Sequence, residues 1–257
     1  MTIEDELLDL DYFVYSSHKT ATQSITRTLN HNGLKCRHCH FFKNTGLKSG
    51  EFQTYIKNYL QKNKRKLNVI TVFREPMERH ISSFFQGHGT RPLRLKEVEN
   101  EFGTIIYRYT IEQLQKQFIT ELSDKSLIGF PESMHDICHE LQISTSELNY
   151  DEKRQFGIYE TEEIKLHILR FDVLVRNYEN ILSNLSGMRI EEKMSNLSGL
   201  KWYKDIYSEF KSSLTVDHNV ISEVYNSKAD LINLLHTNNY ESILNLALIK
   251  YGRPDFS

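Results

Sequence analysis

The sequence predicts an α/β fold, with a parallel sheet covered by helices on both faces. Three observations predict it. Short apolar runs alternate with segments of helical period from residue 11 to about residue 85, in the order β-α-β-α-β-α. One of those runs, "LNVITVF" at 67–73, is β-branched and bounded by charge, the pattern of a strand buried on both faces. The chain has 257 residues, enough for one sizeable α/β domain or one domain with an appended subdomain.

Residues 11–16 read as the first strand. A helix over 21–31 follows, with Ile25 and Leu29 at i, i+4 spacing. "GLKCRHCHFF", 33–42, reads as a second strand opening at Gly33, and 51–63 as a second helix. The run "KNKRK" at 62–66 is a solvated turn. After the strand at 67–73, Pro76 suits the first position of a helix. Residues 104–122 read as one long helix, "EIKLHILRFDVL" at 163–174 as a strand, and everything beyond about Asn177 as helical. No repeat or low-complexity tract appears, and no clean linker divides the chain. The expected organisation is a single domain over 1–257, an α/β core at about 11–175 with a helical C-terminal lobe at about 176–257.

Composition excludes some function classes. Net charge is −2, so there is no global basic field for nucleic acid, and any anion site must be local. The opening "MTIEDELLDLDYF" lacks a basic stretch before an apolar one, so no signal peptide is expected. No run approaches the roughly 20 apolar residues of a membrane-spanning helix; peripheral membrane contact is compatible with this. Cys36, Cys39 and Cys138 are few and odd in number, which predicts reduced thiols and a cytoplasmic setting.

The stretch "YFVYSSHKTATQSITRTL", 12–29, carries the first chemistry. An apolar strand stops at two serines, and a histidine, a lysine and small hydroxyl residues lead into a helix. A strand-to-helix turn aims backbone N–H groups and the helix dipole at one point. Thr20, Thr22 and Ser24 add hydroxyls, Lys19 adds a full charge, and small residues permit close approach of an anion. This describes a phosphate cradle; the plainer alternative is Thr20 as a helix cap and Lys19 on the surface. The glycines of a Walker loop are absent. A second stretch, "VFREPMERHISSFF" at 72–85, places Arg74 at a strand end and Ser82 two turns into the next helix. Two such loops delivered to one sheet edge suit a ligand phosphorylated at both ends. The alternative there is an Arg–Glu surface pair before an ordinary helix.

Together these stretches resemble the nucleotide site of sulfotransferases that use 3′-phosphoadenosine 5′-phosphosulfate, a family with a P-loop-like sheet. "HKTATQS" is similar to the family's P-K-[ST]-x-[ST]-x-[ST] loop, with His18 where proline is usual. Arg74, Pro76, Arg79 and Ser82 match R-[DN]-P-x-x-R-x-x-S, with Glu75 at the acidic or amide position. The resemblance implies that His18, Lys19, Thr20, Ala21, Thr22, Gln23 and Ser24 hold the 5′-phosphosulfate, and Arg74 and Ser82 the 3′-phosphate. It implies no metal. A weaker resemblance links "LKWYKDIYSEFKSSL", 200–214, to the N-K-W-Y-S signature of bacterial capsular polysaccharide synthesis proteins, with Leu200 for the asparagine and Lys204 for the serine. Taken alone, Trp202, Tyr203, Ile206, Tyr207 and Phe210 form an ordinary amphipathic helix face.

The implied reaction moves a sulfuryl group to a hydroxyl of a carbohydrate or glycolipid acceptor, such as a bacterial envelope or capsular glycan. Lys19 would stabilise charge on the bridging oxygen and the 5′-phosphate. A base must take the acceptor's proton. "KCRHCHFF" supplies His38 and His40, two apart on one face of a strand, and resembles the H-x-H pair of polysaccharide 2-O-sulfotransferases. His40, nearer the strand's C-terminal end, is the first choice; His38, His18 or another His or Glu stay open. Zinc held by Cys36, His38, Cys39 and His40 is disfavoured, because strand alternation turns Cys39 away and no second ligand pair lies nearby; His135 and His139 at i, i+4 are ligand-compatible, but histidines on a helix surface are the commoner reading. Two other readings remain, a nucleotide-binding module without turnover and an ATP-dependent kinase. "FFQGHGTRPLRL", 84–95, and the 125–155 region are candidate acceptor loops, with Gly87, Gly89 and Pro92 marking irregular chain and Arg91 and Arg94 able to meet an acidic sugar.

Overall fold

The computed structural model describes residues 8–40, 51–86, 96–99, 105–107, 109–124, 132–193 and 203–252. Its elements, in chain order, are β1 (Tyr12–Tyr15), α1 (Thr22–His31), β2 (Cys36–Cys39), α2 (Glu51–Asn63), β3 (Leu67–Phe73) and α3 (Pro76–Gln86). Then come β4 (Lys96–Glu99), β5 (Ile105–Tyr107), α4 (Ile111–Leu122), α5 (Ser133–Leu141), β6 (Phe156–Glu160) and β7 (Ile164–Arg170). The chain continues through α6 (Phe171–Arg176), α7 (Tyr178–Ser186), α8 (Lys204–Ser213), α9 (His218–Asn226), α10 (Ala229–Leu235) and α11 (Tyr240–Tyr251).

The chain forms two compact units, and neither is one continuous stretch. The first comprises 1–74, 131–196 and 233–238, and the second 75–130, 197–232 and 239–257. The helical residues after 176 are therefore shared between the units rather than gathered in one C-terminal lobe.

The first unit is α/β. Its five-stranded sheet has the order β2-β1-β3-β7-β6, with β2, β1, β3 and β7 parallel and β6 antiparallel at one edge. β1 is buried along its whole length, as a central parallel strand must be. Tyr12 and Val14 join a core with Ile25 and Leu29 of α1, Val173 and Leu174 of α6, and Ile181, Leu182 and Leu185 of α7. Strand alternation sends Phe13 and Tyr15 to the opposite face. There the Phe13 ring lies 6.4 Å from both Phe52 and Tyr55 of α2, and the Tyr15 hydroxyl donates to Asp136 of α5 at 3.0 Å. Helices thus flank both faces. Gly33, at φ +82, turns the end of α1 towards β2, a backbone conformation that favours glycine.

Three expectations need correction. The sheet is not wholly parallel, because β6 and β7 are joined by only three residues, too few for a crossover. Residues 104–122 are not one helix: β5 pairs with β4, and α4 starts only after Thr110 and Gln113 close a reciprocal capping box. The strand read at 163–174 stops at Arg170, and its last residues form α6. Residues 41–42 of the second predicted strand, Leu200 and Trp202, and the loop residues Gly87, Gly89, Arg91, Pro92 and Arg94 lie outside the described residues.

In the second unit α3 begins at Pro76, and the Glu75 carboxyl caps it by accepting from the N–H groups of Met77 (3.1 Å) and Glu78 (2.6 Å). Burial pushes that carboxyl up to about 7. The aromatic residues of "YKDIYSEF" pack as a helix face should. Phe210 is fully buried and lies 5.0 Å from Phe85 and 5.6 Å from Phe118, ring centre to ring centre. Glu78 ties α3 to Lys211, Lys250 and Tyr251 at 2.7 Å each. Burial opposes its ionisation, but these partners hold its carboxyl down to about 2.

His167 on β7 makes the first unit acid-sensitive. Its Nε2 sits 3.4 Å from Asn68 Oδ1, and its buried Nδ1 has no hydrogen-bond partner among the described residues. Burial, helped by Lys165, pushes its pKa down to about 3. The unfolded chain therefore binds the proton more readily between pH 6.5 and pH 3, and stability falls as pH drops through that window. His167 by itself should contribute a loss of about 2 kcal/mol between pH 7 and pH 5. Urea unfolding of wild type and His167→Leu at both pH values checks this; an equal loss in the variant would remove His167 as the cause.

Candidate active site at the C-terminal edge of the parallel strands

The order β2-β1-β3 places a switch point between β1 and β3. The β1-to-β2 connection leaves in one direction, and the β2-to-β3 connection returns past β1. Loops diverging from such a point leave a crevice in which open α/β sheets bind ligands. Here β1 and β3 pair only as far as Val14 and Ile70, whereas β3 and β7 pair to Phe73 and Arg170. Ser16 bridges the opening. Its Oγ accepts from the Val72 N–H at 3.0 Å and lies 2.9 Å from the Val72 carbonyl oxygen.

The loop after β1 is bent in an uncommon way. Lys19 (φ 69) and Ala21 (φ 63) both occupy left-handed backbone, the conformation that a Walker loop assigns to glycine. Each such non-glycine residue costs on the order of 1–2 kcal/mol. Left-handed Ala21 directly before helical Thr22 is the pairing that turns successive N–H groups to one side, the geometry of an anion-binding nest. Ala21 is also the N-cap position of α1, and its methyl group offers the first turn no capping acceptor. The alternative reading of Thr20 as the cap of α1 is thus overturned.

Thr20 does not present its hydroxyl to a ligand either. It is fully buried, and its Oγ1 donates to the Ser17 carbonyl at 2.6 Å and lies 2.7 Å from Ser16 Oγ. It shapes the loop from within. Thr22 is buried too, Ser24 is half-buried and Gln23 exposed on the first turns of α1. Lys19 and His18 are half-buried on the loop itself.

Arg74 leaves the end of β3 and reaches the β1 loop. Its Nη1 donates to the Lys19 carbonyl at 3.0 Å, and its guanidinium carbon lies 4.4 Å from the centre of the Phe171 ring. Phe171 opens α6, directly after β7. A carbonyl and an aromatic face thus fix the guanidinium plane across the switch point. Ser82 lies half-buried on α3 and Arg79 is buried there, both in the second unit, so the second anion motif is divided between the units.

His40 follows β2 immediately. Its Nδ1 lies 2.7 Å from the Ser16 carbonyl oxygen. A carbonyl only accepts, so Nδ1 carries the hydrogen, and in the neutral ring Nε2 holds the basic lone pair. The His18 and His40 ring centres are 3.8 Å apart. The His38 ring lies 5.7 Å from that of His40, one pleat back on the same face. Burial, with His40 and Arg27 nearby, holds the His38 pKa below the usual imidazole range. Lys19, His18, His40 and Arg74 thus converge on one edge of the first unit.

Residues that the sequence did not single out brace this edge. Ser17 N–H donates to Ser133 Oγ at 2.8 Å, and Ser133 N–H returns to Ser17 Oγ at 3.0 Å. Ser17 Oγ donates to the buried Glu132 at 2.9 Å. The signal in the sequence was "PESMHDICHEL", a helix start with a glutamate and a serine ahead of an amphipathic run. Of that helix His135 is half-buried and His139 exposed. Among the described residues no three His, Cys, Asp or Glu side chains are arranged to hold a metal ion. None of their helices is long and apolar enough to cross a membrane. No family model matches the chain, and no characterised protein or solved structure matches it.

Proposed function

We propose that the protein transfers a sulfuryl group from 3′-phosphoadenosine 5′-phosphosulfate to a hydroxyl of a carbohydrate acceptor, on a P-loop-like sulfotransferase fold. One observation carries the reading: the guanidinium of Arg74 is bonded to the carbonyl of Lys19 at 3.0 Å. The two stretches that resemble the family's nucleotide motifs, 55 residues apart, therefore meet at a sheet edge suited to anions.

The nest at 19–22 holds the 5′-phosphosulfate by backbone N–H groups, with Lys19 beside the bridging oxygen. Arg74, with its guanidinium carbon over the Phe171 ring, holds the 3′-phosphate. The acceptor oxygen attacks sulfur as the bond from sulfur to the 5′-phosphate oxygen breaks. The acceptor's proton passes to Nε2 of His40, and 3′-phosphoadenosine 5′-phosphate leaves. The acceptor is an envelope or capsular glycan or a lipid-linked sugar.

Calorimetry tests the donor site. The product nucleotide, 3′-phosphoadenosine 5′-phosphate, should bind without Mg²⁺ and far more tightly than adenosine 5′-phosphate. A charge-assisted hydrogen bond to phosphate contributes roughly 1.5–3 kcal/mol, so Arg74→Ala should weaken binding at least about tenfold. Equal affinity for the two nucleotides would overturn the two-phosphate reading, and Mg²⁺-dependent ATP binding would favour a kinase. Labelled sulfate transfer to a panel of envelope glycans and lipid-linked sugars identifies the acceptor; nucleotide binding with no transfer to any would leave a binding module.

A further inference from the structure

We propose that Glu132 is a positioning residue for the anion loop, acting through Ser17 to preset the left-handed backbone of Lys19 and Ala21. The inference rests on the donor site proposed above and adds a residue from outside both motif stretches.

Ser17 is held at every polar group it has. Its N–H donates to Ser133 Oγ at 2.8 Å, and its carbonyl accepts from Thr20 Oγ1 at 2.6 Å. Its Oγ accepts from Ser133 N–H at 3.0 Å and gives its single hydrogen to Glu132 Oε2 at 2.9 Å. Ser17, Thr20, Glu132 and Ser133 are all buried, at 3 % exposure or less. Water does not compete for these bonds there, so each partner lost leaves a buried group unsatisfied.

The clamp sits directly before the strained segment. Lys19 is two residues after Ser17, and the Thr20 hydroxyl that closes the turn lies between the two left-handed residues. Backbone held in sparsely populated conformations persists only when its surroundings over-determine it. Glu132 supplies the acceptor that orients the Ser17 hydroxyl; without it that hydrogen turns to Ser133 Oγ, 3.3 Å away. Ser133 Oγ would then accept both the Ser17 N–H and the Ser17 hydroxyl, the hydroxyl only at that longer distance. The carboxyl itself stands at the N-terminus of α5, where a negative group is favoured by the helix dipole. The nest therefore exists before ligand arrives, and binding need not supply the energy to form it.

Three measurements on the full chain decide the matter. In Glu132→Ala, affinity for 3′-phosphoadenosine 5′-phosphate should fall about tenfold, while Glu132→Gln, whose amide oxygen accepts the same bond, stays within about threefold of wild type. In a Lys19→Ala background, Glu132→Ala should still cost about tenfold in nucleotide affinity, because the loop binds through backbone N–H groups that Lys19→Ala leaves in place. Amide exchange at 17–22 should accelerate in Glu132→Ala with β3 and β7 unchanged, which separates a loosened loop from a loosened fold. Wild-type affinity and exchange in Glu132→Ala, or equal losses in the Ala and Gln variants, would overturn the proposal. A wild-type protein that does not bind the nucleotide would sink the sulfotransferase reading, and the exchange comparison would still decide whether Glu132 presets the loop.

Discussion

Replacing His40 with alanine should abolish sulfuryl transfer to within detection, a loss of about 10²–10⁴-fold, while nucleotide affinity changes little. The argument is one of tautomer and place. The Ser16 carbonyl takes the hydrogen of Nδ1, so the neutral ring turns a basic Nε2 to the other side. The ring follows β2 at the edge where the β1 loop begins, tilted against His18 with ring centres 3.8 Å apart. A general base must reach the reacting hydroxyl and must also be held still. His38→Ala should be milder, since its ring is set one pleat back on the same face, beside α1. Initial rates at saturating donor, with calorimetry on the same variants, measure the contrast. If His40→Gln restores turnover, the ring is a packing group and the base lies elsewhere.

Lys19→Ala should lower turnover by about 10²-fold or more and raise the donor's Kd far less, because Lys19 is assigned to charge that grows only as the bond to sulfur breaks. The backbone supports this division of labour. The Lys19 carbonyl accepts from Arg74, so this residue's main chain serves architecture, and the role assigned to its side chain is a separate one. Its left-handed φ of 69 makes the backbone part of the experiment. Lys19→Gly relaxes that strain as well as deleting the charge, and should match Lys19→Ala in turnover if charge is what matters. The decisive measurement is single-turnover transfer at saturating nucleotide. A variant that keeps its turnover number and loses only donor affinity would make Lys19 a ground-state binding residue.

Much of the first unit was legible in the sequence because its signals are local. β1 and β3 are short runs buried on both faces, and α2 places Phe52, Tyr55, Ile56 and Tyr59 on one side at helical spacing. Pro76 marked the start of α3 through its missing N–H and preset φ. Signals failed where two elements share one residue vocabulary. "IIY" at 105–107 is as apolar as the helix after it, and only the Thr110–Gln113 capping box separates them. "HILRFDVL" reads as continuous strand because apolar residues run on from Ile168 and Leu169 of β7 to Phe171, Val173 and Leu174 of α6 with no glycine, proline or side-chain cap between them.

The residue types of the anion edge were determined by the sequence alone: a lysine and small hydroxyl residues after one strand, an arginine after another, and two histidines at alternate positions of a third. Tertiary structure decided what each does. It turned the Thr20 hydroxyl inward, because the bend at Lys19 and Ala21 leaves the Ser17 carbonyl needing a donor. It brought Arg74 to the Lys19 carbonyl, because β1 and β3 are neighbours although 55 residues separate the two groups. It divided Arg74 from Ser82 between two compact units, although they are eight positions apart in one motif. It chose Nδ1 of His40 as the protonated nitrogen by setting a carbonyl 2.7 Å away. And it recruited Glu132 and Ser133, which no periodicity marks, since a hydrogen bond between residues more than a hundred positions apart depends on sheet order and helix placement rather than on local pattern.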